Sequence, residues 1–433
     1  MRSKVFKNRV INNASWIIAC KAVQAVLTLV VTILTARLLE PDGYGIINYA
    51  ASVTAFFVPI MQLGLNSTLV RELVAKPERE GEVVGTAVTM SFVSALLSVI
   101  GIFAFASVAN RGERETIIVC VIYGTMLVFQ CFELLQYWFQ AKLMSKYHAI
   151  SVLFAFAVIS VYKIFLLVSG KGVIWFAVAQ SADYLIVALI LLVIYLKKSS
   201  SRLSFSFLTA RELFSRSKYY IASSIMITLF LQTDRVMLKL MLGDAACGYY
   251  SAAATCAGMT SFVFGAIIDS LRPIIFENKE NSEEGYKKTV IALYSIIIYL
   301  SLAQSLIISV FSGFIIKILY GSAYVGAAAP LAILVWYTTF SYLGSVRNIW
   351  MLAEEKQKYL WIINFSGAFL NVALNFALIP VLEISGAAIA SLATQLFTNV
   401  IIGFIIKPIR ENNKLMLCSI NPKYLISIIK TVK

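Results

Sequence analysis

Eight ionisable side chains lie inside stretches that are otherwise almost wholly apolar, and these are the residues whose types and positions could do chemistry. They are the cations Lys21, Lys163, Arg235 and Arg347 and the carboxylates Glu133, Asp183, Asp234 and Asp269. A Lys, Arg or Asp at a bilayer centre costs about 2.5–3.5 kcal/mol on insertion scales, so such groups face protein or water. Fixed cations in a wet cavity can replace the hydration shell of an anion. A buried carboxylate either exchanges a proton or neutralises a nearby cation. The plain structural role of each is a neutralised pair or a side chain that snorkels to the interface, for which Arg347 is close enough to a span end. Asp234 and Arg235 are adjacent, and adjacent helical residues do not share a face, so different partners are expected for them.

Nothing in the sequence points to catalysis or to a metal. No nucleophile constellation or phosphate loop is present. Cys20, Cys120, Cys131, Cys247, Cys256 and Cys418 show neither metal spacing nor a disulfide framework, and His148 is the single histidine. Polar residues such as Gln232, Asn371, Asn375, Gln395 and Asn399 could line a sugar-tolerant cavity, although interhelical hydrogen bonding is the commoner role for any one of them.

The elements that must hold these groups are membrane spans. Of 433 residues, 60% are apolar, and the mean hydropathy is +0.82. Crossing a hydrocarbon core takes roughly 20 helical residues. About twelve stretches meet that length: residues 13–39, 43–65, 82–108, 116–140, 149–169, 172–196, 219–242, 248–275, 286–311, 325–353, 359–382 and 385–406. Helices are the default because backbone in lipid must satisfy its own hydrogen bonds, and the alternation of a membrane barrel is absent.

Basic residues cluster in the amino-terminal tail (Arg2, Lys4, Lys7, Arg9), in alternate connections, and in the tail from Lys407 to Lys433. Both termini are therefore expected in the cytoplasm, with an even number of spans. The +15 net charge reads as topology and contact with anionic lipid; charges scattered over several loops exclude a nucleic-acid role. The apolar run continues well past Cys20, so the first helix is read as uncleaved. The expected partition is a six-helix lobe at 1–196, a cytoplasmic linker at 197–218, a second six-helix lobe at 219–407, and a basic amphipathic tail at 408–433. Phe205, Phe207, Leu208, Leu213 and Phe214 of the linker can lie in the membrane interface.

Two internal correspondences support this division. Residues 37–50 (RLLEPDGYGIINYA) reappear in weaker form as residues 240–253 (LMLGDAACGYYSAA), and residues 172–180 (GVIWFAVAQ) correspond to 386–394 (GAAIASLAT). Each pair is six spans apart, which gives halves of the same orientation related by an axis along the membrane normal. Two lobes facing each other across a central cavity are expected.

The stretch 35–45 (TARLLEPDGYG) running on to 64–72 (GLNSTLVRE) resembles the opening signature of bacterial polysaccharide transporters, the oligosaccharide-lipid flippases of O-antigen and capsule pathways. These belong to the superfamily that also holds multidrug and toxin extrusion (MATE) pumps. Further matches are 232–238 (QTDRVML), 248–254 (GYYSAAA), 320–324 (YGSAY), 371–375 (NVALN), Ile379-Pro380 and 386–391 (GAAIAS). The series covers essentially the whole chain in order. One departure is Glu383-Ile384-Ser385, where relatives often have a glycine-containing turn.

The resemblance implies an all-α integral membrane protein of MATE-like fold in a bacterial cytoplasmic membrane, not an enzyme and without a cofactor. It implies a flippase carrying undecaprenyl-diphosphate-linked oligosaccharide repeat units from the inner to the outer leaflet by alternating access, coupled to a proton or sodium gradient. Lys21, Arg235, Lys163 and Arg347 are then the candidate diphosphate site. Asp234, Asp183, Glu133 and Asp269 are ion-coupling or charge-pair candidates. The implied partners are the lipid-linked glycan, anionic lipids and polysaccharide assembly proteins. The alternatives are a multidrug antiporter on the same fold, a peptidoglycan-precursor or sporulation flippase, and a polytopic glycan-processing enzyme.

Overall fold

The computed structural model describes residues 2–199 and 201–423; within the first helix the side chains of residues 2–19, 21, 22 and 26 are not described, nor is that of Ser67. Among the described residues the chain is almost entirely helical and contains no strand. Two compact units divide it, residues 1–232 and 233–433.

The first unit comprises α1 (Arg2–Gln62), α2 (Leu69–Ala75), α3 (Glu80–Ala109), α4 (Arg114–Gly124), α5 (Met126–Gln130), α6 (Leu135–Ala141), α7 (Lys146–Val168), α8 (Val173–Lys198) and most of α9 (Phe207–Leu242), through which the boundary passes. The second contains the end of α9, then α10 (Asp244–Gly258), α11 (Ser261–Asn281), α12 (Glu283–Val310), α13 (Ser312–Tyr320), α14 (Ala328–Ala353), α15 (Leu360–Leu396), α16 (Ile402–Ile405) and α17 (Arg410–Cys418).

Eight described helices are long and apolar enough to cross a membrane, or nine if the bent α10–α11 pair is one span. The difference from twelve has local causes. The candidates Val23–Gln62 and Gln357–Ile405 each hold two of the expected stretches, joined at a non-helical residue. Glu40 takes φ 57° and ψ 174° directly before Pro41, which disfavours helix at the residue preceding it and can itself start the next one. Glu383 takes φ 50° and ψ −131°. Three residues on, a Cβ at Gly386 would strike the backbone of Leu378, so only glycine admits the close return of the chain after this break. The helix α9, which carries the seventh expected stretch, is not among the eight.

In the first unit a buried cluster including Leu69, Leu135, Trp138, Phe139, Tyr195 and Leu213 ties α2, α6, α8 and the start of α9 together. The Trp138 and Tyr195 rings meet edge to face at 4.9 Å. The segment before α9 lies against α3 where Gly81 and Gly85 leave room, with the Ser206 N–H donating to Thr86 Oγ1 at 3.1 Å. Charged pairs rim this end: Glu72 with Arg216, Glu82 with Arg79 at 2.7 Å, Lys142 with Glu80 at 2.7 Å.

In the second unit α14 packs against α10, α12 and α15 around a core that includes Phe264, Tyr294, Tyr342 and Trp350, with Phe264 and Tyr342 stacked at 4.0 Å. Its polar rim includes Glu354. Burial pushes that carboxyl up, but donation from Lys279 and the nearby Lys356 outweigh it, leaving the group below the usual carboxylate range. In α17, Asn412 and Asn413 are fully buried and Leu415 and Met416 nearly so, while Leu417 and Ile420 stay exposed. The start of the tail is thus docked on α12 and α16 rather than lying free on a lipid surface. Tyr424, Leu425 and Ile428 fall outside the described residues.

Candidate functional site

The most organised polar site of the second unit surrounds Asp234, which is 4% exposed. Its Oδ1 accepts from Asn375 Nδ2 at 2.6 Å and from Asn371 Nδ2 at 3.1 Å. Its Oδ2 accepts from the hydroxyls of Tyr250 and Ser391. Three helices supply these groups: α9 the carboxylate, α10 the tyrosine, and α15 the two asparagines and the serine. Asn371 and Asn375 are four residues apart, so they share a helix face, and Ser391 comes from beyond the Glu383 break. That break is what lets one helix place donors on the carboxylate from both of its halves.

A buried carboxylate with four donors is satisfied, yet the amide oxygen of Asn375 has no hydrogen-bond partner. Either asparagine amide, turned over, presents a carbonyl oxygen in place of an N–H. With both amides turned over, the cage offers one carboxylate, two amide oxygens and two hydroxyls, a hard-oxygen set suited to an alkali cation. No group of three or more His, Cys, Asp or Glu residues able to hold a metal occurs among the described residues.

Arg235, on the neighbouring face of α9, donates from Nε to Ser251 Oγ at 3.2 Å, so the adjacent acid and base do have different partners. Arg347 is only 4% exposed; it donates to the Thr398 carbonyl and to Asn348 Oδ1. It does not snorkel: its guanidinium is enclosed rather than turned to the span end. Asp269 is exposed and pairs with Arg272 at 2.9 Å, one turn along α11.

The charges of the first unit are held more loosely. Glu133 lies on a 3-10 turn, Cys131–Leu134, in the middle of the candidate span Arg114–Ala141, and it accepts from Gln130. Among the described residues Lys163 on α7 makes no hydrogen bond or close ion pair; it meets Asp183 of α8 through a longer-range electrostatic interaction. Asp183 Oδ1 is buried without a hydrogen-bond partner. Lys21 falls within α1, but its side chain lies outside the described residues.

A family model described as polysaccharide biosynthesis protein matches residues 10–279. The chain belongs to that family. No curated protein matches the sequence. Among solved structures it is similar to the inward closed conformation of the lipid II flippase MurJ, with a TM-score of 0.73, 14% identity, and coverage of 95% of this chain and 92% of that one. It is also similar to the inward-facing conformation of a multidrug resistance MATE family transporter of the MOP superfamily, with a TM-score of 0.68, 14% identity, and coverage of 90% and 95%. A eukaryotic MATE transporter follows with a TM-score of 0.59, 15% identity, and coverage of 95% and 98%. At these identities the likeness shows the fold: an all-α, multi-pass membrane architecture of the MATE and MurJ type.

For a polysaccharide biosynthesis protein of this fold, the convergence on Asp234 gives its sequence motifs a common purpose. The segments 232–238, 248–254, 371–375 and 386–391 are far apart in the chain, and each contributes one or two groups to the cage. Sequence reasoning singled out Asp234 and quoted all four segments, but it assigned Tyr250 and Ser391 no role. The available signal was the Asn-x-x-x-Asn spacing, which marks one polar face on an apolar helix and therefore a polar partner across the interface.

Proposed function

We propose that this protein is a flippase for an undecaprenyl-diphosphate-linked oligosaccharide, moving it from the inner to the outer leaflet of a bacterial cytoplasmic membrane for surface polysaccharide assembly. The observation that carries the reading is the caged Asp234 on a transporter fold: a buried carboxylate gathered by three helices is a coupling site, not a catalytic one. The cage assembles more oxygen groups than a proton needs, so sodium is the preferred coupling ion, bound by Asp234, Asn371, Asn375, Ser391 and Tyr250. Binding draws α9, α10 and α15 together and biases alternating access. Arg235, beside the cage on α9, supplies positive charge toward the diphosphate, and Lys21 is its proposed counterpart in the first unit. Both termini are placed in the cytoplasm on the loop bias of Lys and Arg.

Deletion of the gene in its host tests the substrate class. Surface polysaccharide should fall while its lipid-linked precursor accumulates on the cytoplasmic side. The multidrug antiporter is the second reading, supported by the MATE likeness. Unchanged surface glycan with lost resistance to cationic drugs would select it over the flippase.

A further inference from the structure

Where the chain enters α9, the first unit carries an open groove of about 430 Å³. Met90, Val93 and Leu97 of α3 form one wall, and Phe205, Phe207 and Phe214 form the other. The walls are bare: Leu97 is 64% exposed and Phe207 77%. Two polar residues join the lining, Thr89 and Ser94, and their hydroxyls donate to the Gly85 and Ile60 carbonyls, each at 2.8 Å. Their protons are spent on backbone, so the groove offers an occupant hydrocarbon contact and little else.

Its position is that of a lipid chain. The α3 wall belongs to the candidate span Pro77–Ala109, and at 1.5 Å per residue Leu97 lies roughly 12 Å beyond Thr89, away from the charged rim. The other wall stays at that rim, where Thr209 donates to Glu82. Arg211 follows Phe207 by four residues and precedes Phe214 by three, so it shares their helix face. Four carboxylates at this end are already taken: Glu72 by Arg216, Glu80 by Lys142, Glu82 by Arg79, and Glu212 by Lys76 at 3.2 Å. Arg211 is exposed and, among the described residues, pairs with no carboxylate. An apolar groove that runs into the membrane beside an unneutralised cation complements an amphiphile with a negative head.

We propose that this groove binds one acyl chain of an anionic phospholipid, with the lipid phosphate at Arg211 and the chain between α3 and the Phe205–Phe214 segment. A polyisoprenoid chain would overrun a groove of this length, whereas a single acyl chain fills it. The lipid adds apolar contact to a segment that is otherwise fastened to α3 by the Ser204 and Ser206 N–H groups. The site lies within the first unit and does not depend on what the protein carries.

Native mass spectrometry of the purified full-length protein in detergent tests this, with phosphatidylglycerol and phosphatidylcholine of identical chains supplied in equal amounts. Phosphatidylglycerol should be retained with about fivefold preference, the worth of one basic side chain near an anionic lipid. Arg211→Gln, at an exposed position with no ion pair to lose, should abolish the preference and leave a lipid bound. Val93→Trp, which fills the groove from a wall position already 53% exposed, should remove one retained lipid of either kind. Equal retention of the two headgroups by the unaltered protein, or a phosphatidylglycerol preference undiminished in both variants, would overturn the site. Displacement of phosphatidylglycerol by an equal amount of undecaprenyl phosphate would overturn the acyl occupant and give the groove to the carrier chain.

Discussion

Asp234 and Asp183, one acid inside a helix of each unit, are held in opposite ways. In the second, Asp234 is surrounded by four donors from two other helical segments, and every contact is a direct hydrogen bond. In the first, Asp183 keeps an oxygen without a partner and meets Lys163 only at longer range. An organised cage holds a ligand in one geometry, whereas loosely placed charges tolerate several arrangements. Under the proposed function, the contrast favours the second unit for ion coupling.

The largest effect expected from this contrast is on transport. Asp234→Asn should lower gradient-driven export by about 5–150-fold, the range of an ordinary coupling free energy, at unchanged membrane abundance, and should remove its sodium dependence. Asp183→Asn should change export less than about threefold, below that range. Export and abundance measured together decide the matter; the reverse ranking would move the coupling site to the first unit, and a shift in pH dependence alone would make the coupling ion a proton.

A structural counterpart concerns the two glycines that correspond across the repeat. A Cβ at Gly386 would meet the Leu378 backbone, while one at Gly172 would meet nothing within 4 Å. Gly386→Ala should cost about 1–3 kcal/mol or more, because neither backbone can yield freely, and should reduce folded protein in detergent. Gly172→Ala should be nearly neutral. Equal thermal midpoints for the two variants would show that the return after Glu383 is not tightly packed.

The smallest effect separates the turns before the second and eighth expected spans. Glu40 and Gly243 occupy corresponding positions, and both have positive φ with extended ψ, at 57° and 174° and at 97° and −176°. This conformation belongs essentially to glycine. Glu40→Gly should therefore stabilise the protein by up to about 1 kcal/mol, and Gly243→Ala, which meets no steric obstacle, should destabilise it by about 1–3 kcal/mol through backbone strain alone. A Glu40→Gly variant less stable than wild type would show that the Glu40 side chain contributes more than its strain costs.

Much of the architecture was legible in the amino-acid order, because hydrophobic length, charge bias and repeated turns are local properties. Runs of apolar residues required helices of membrane length, and the recurrence of residues 37–50 at 240–253 anticipated two breaks that prove to share a backbone conformation. The count of spans was less secure. A residue such as Glu40 or Glu383 carries no mark of its own positive φ, and the charges on α9 weaken its apolar signal.

Asp234 and Arg235 could be singled out as buried ionisable groups with different partners, since that follows from helix periodicity. What the sequence left open was which groups those partners are. Tyr250, Asn371, Asn375 and Ser391 lie 16 to 157 residues away from Asp234 in the chain, and only packing brings them onto one carboxylate. The same holds for Arg347: its distance from a span end suggested a snorkelling cation, and only its burial and its donation to the Thr398 carbonyl show that it is enclosed. Composition and periodicity determine that a charge enters the membrane domain, because they act along the chain. Whether that charge is caged, loosely placed or sealed inside is decided by contacts between distant segments, which exist only once the helices have packed.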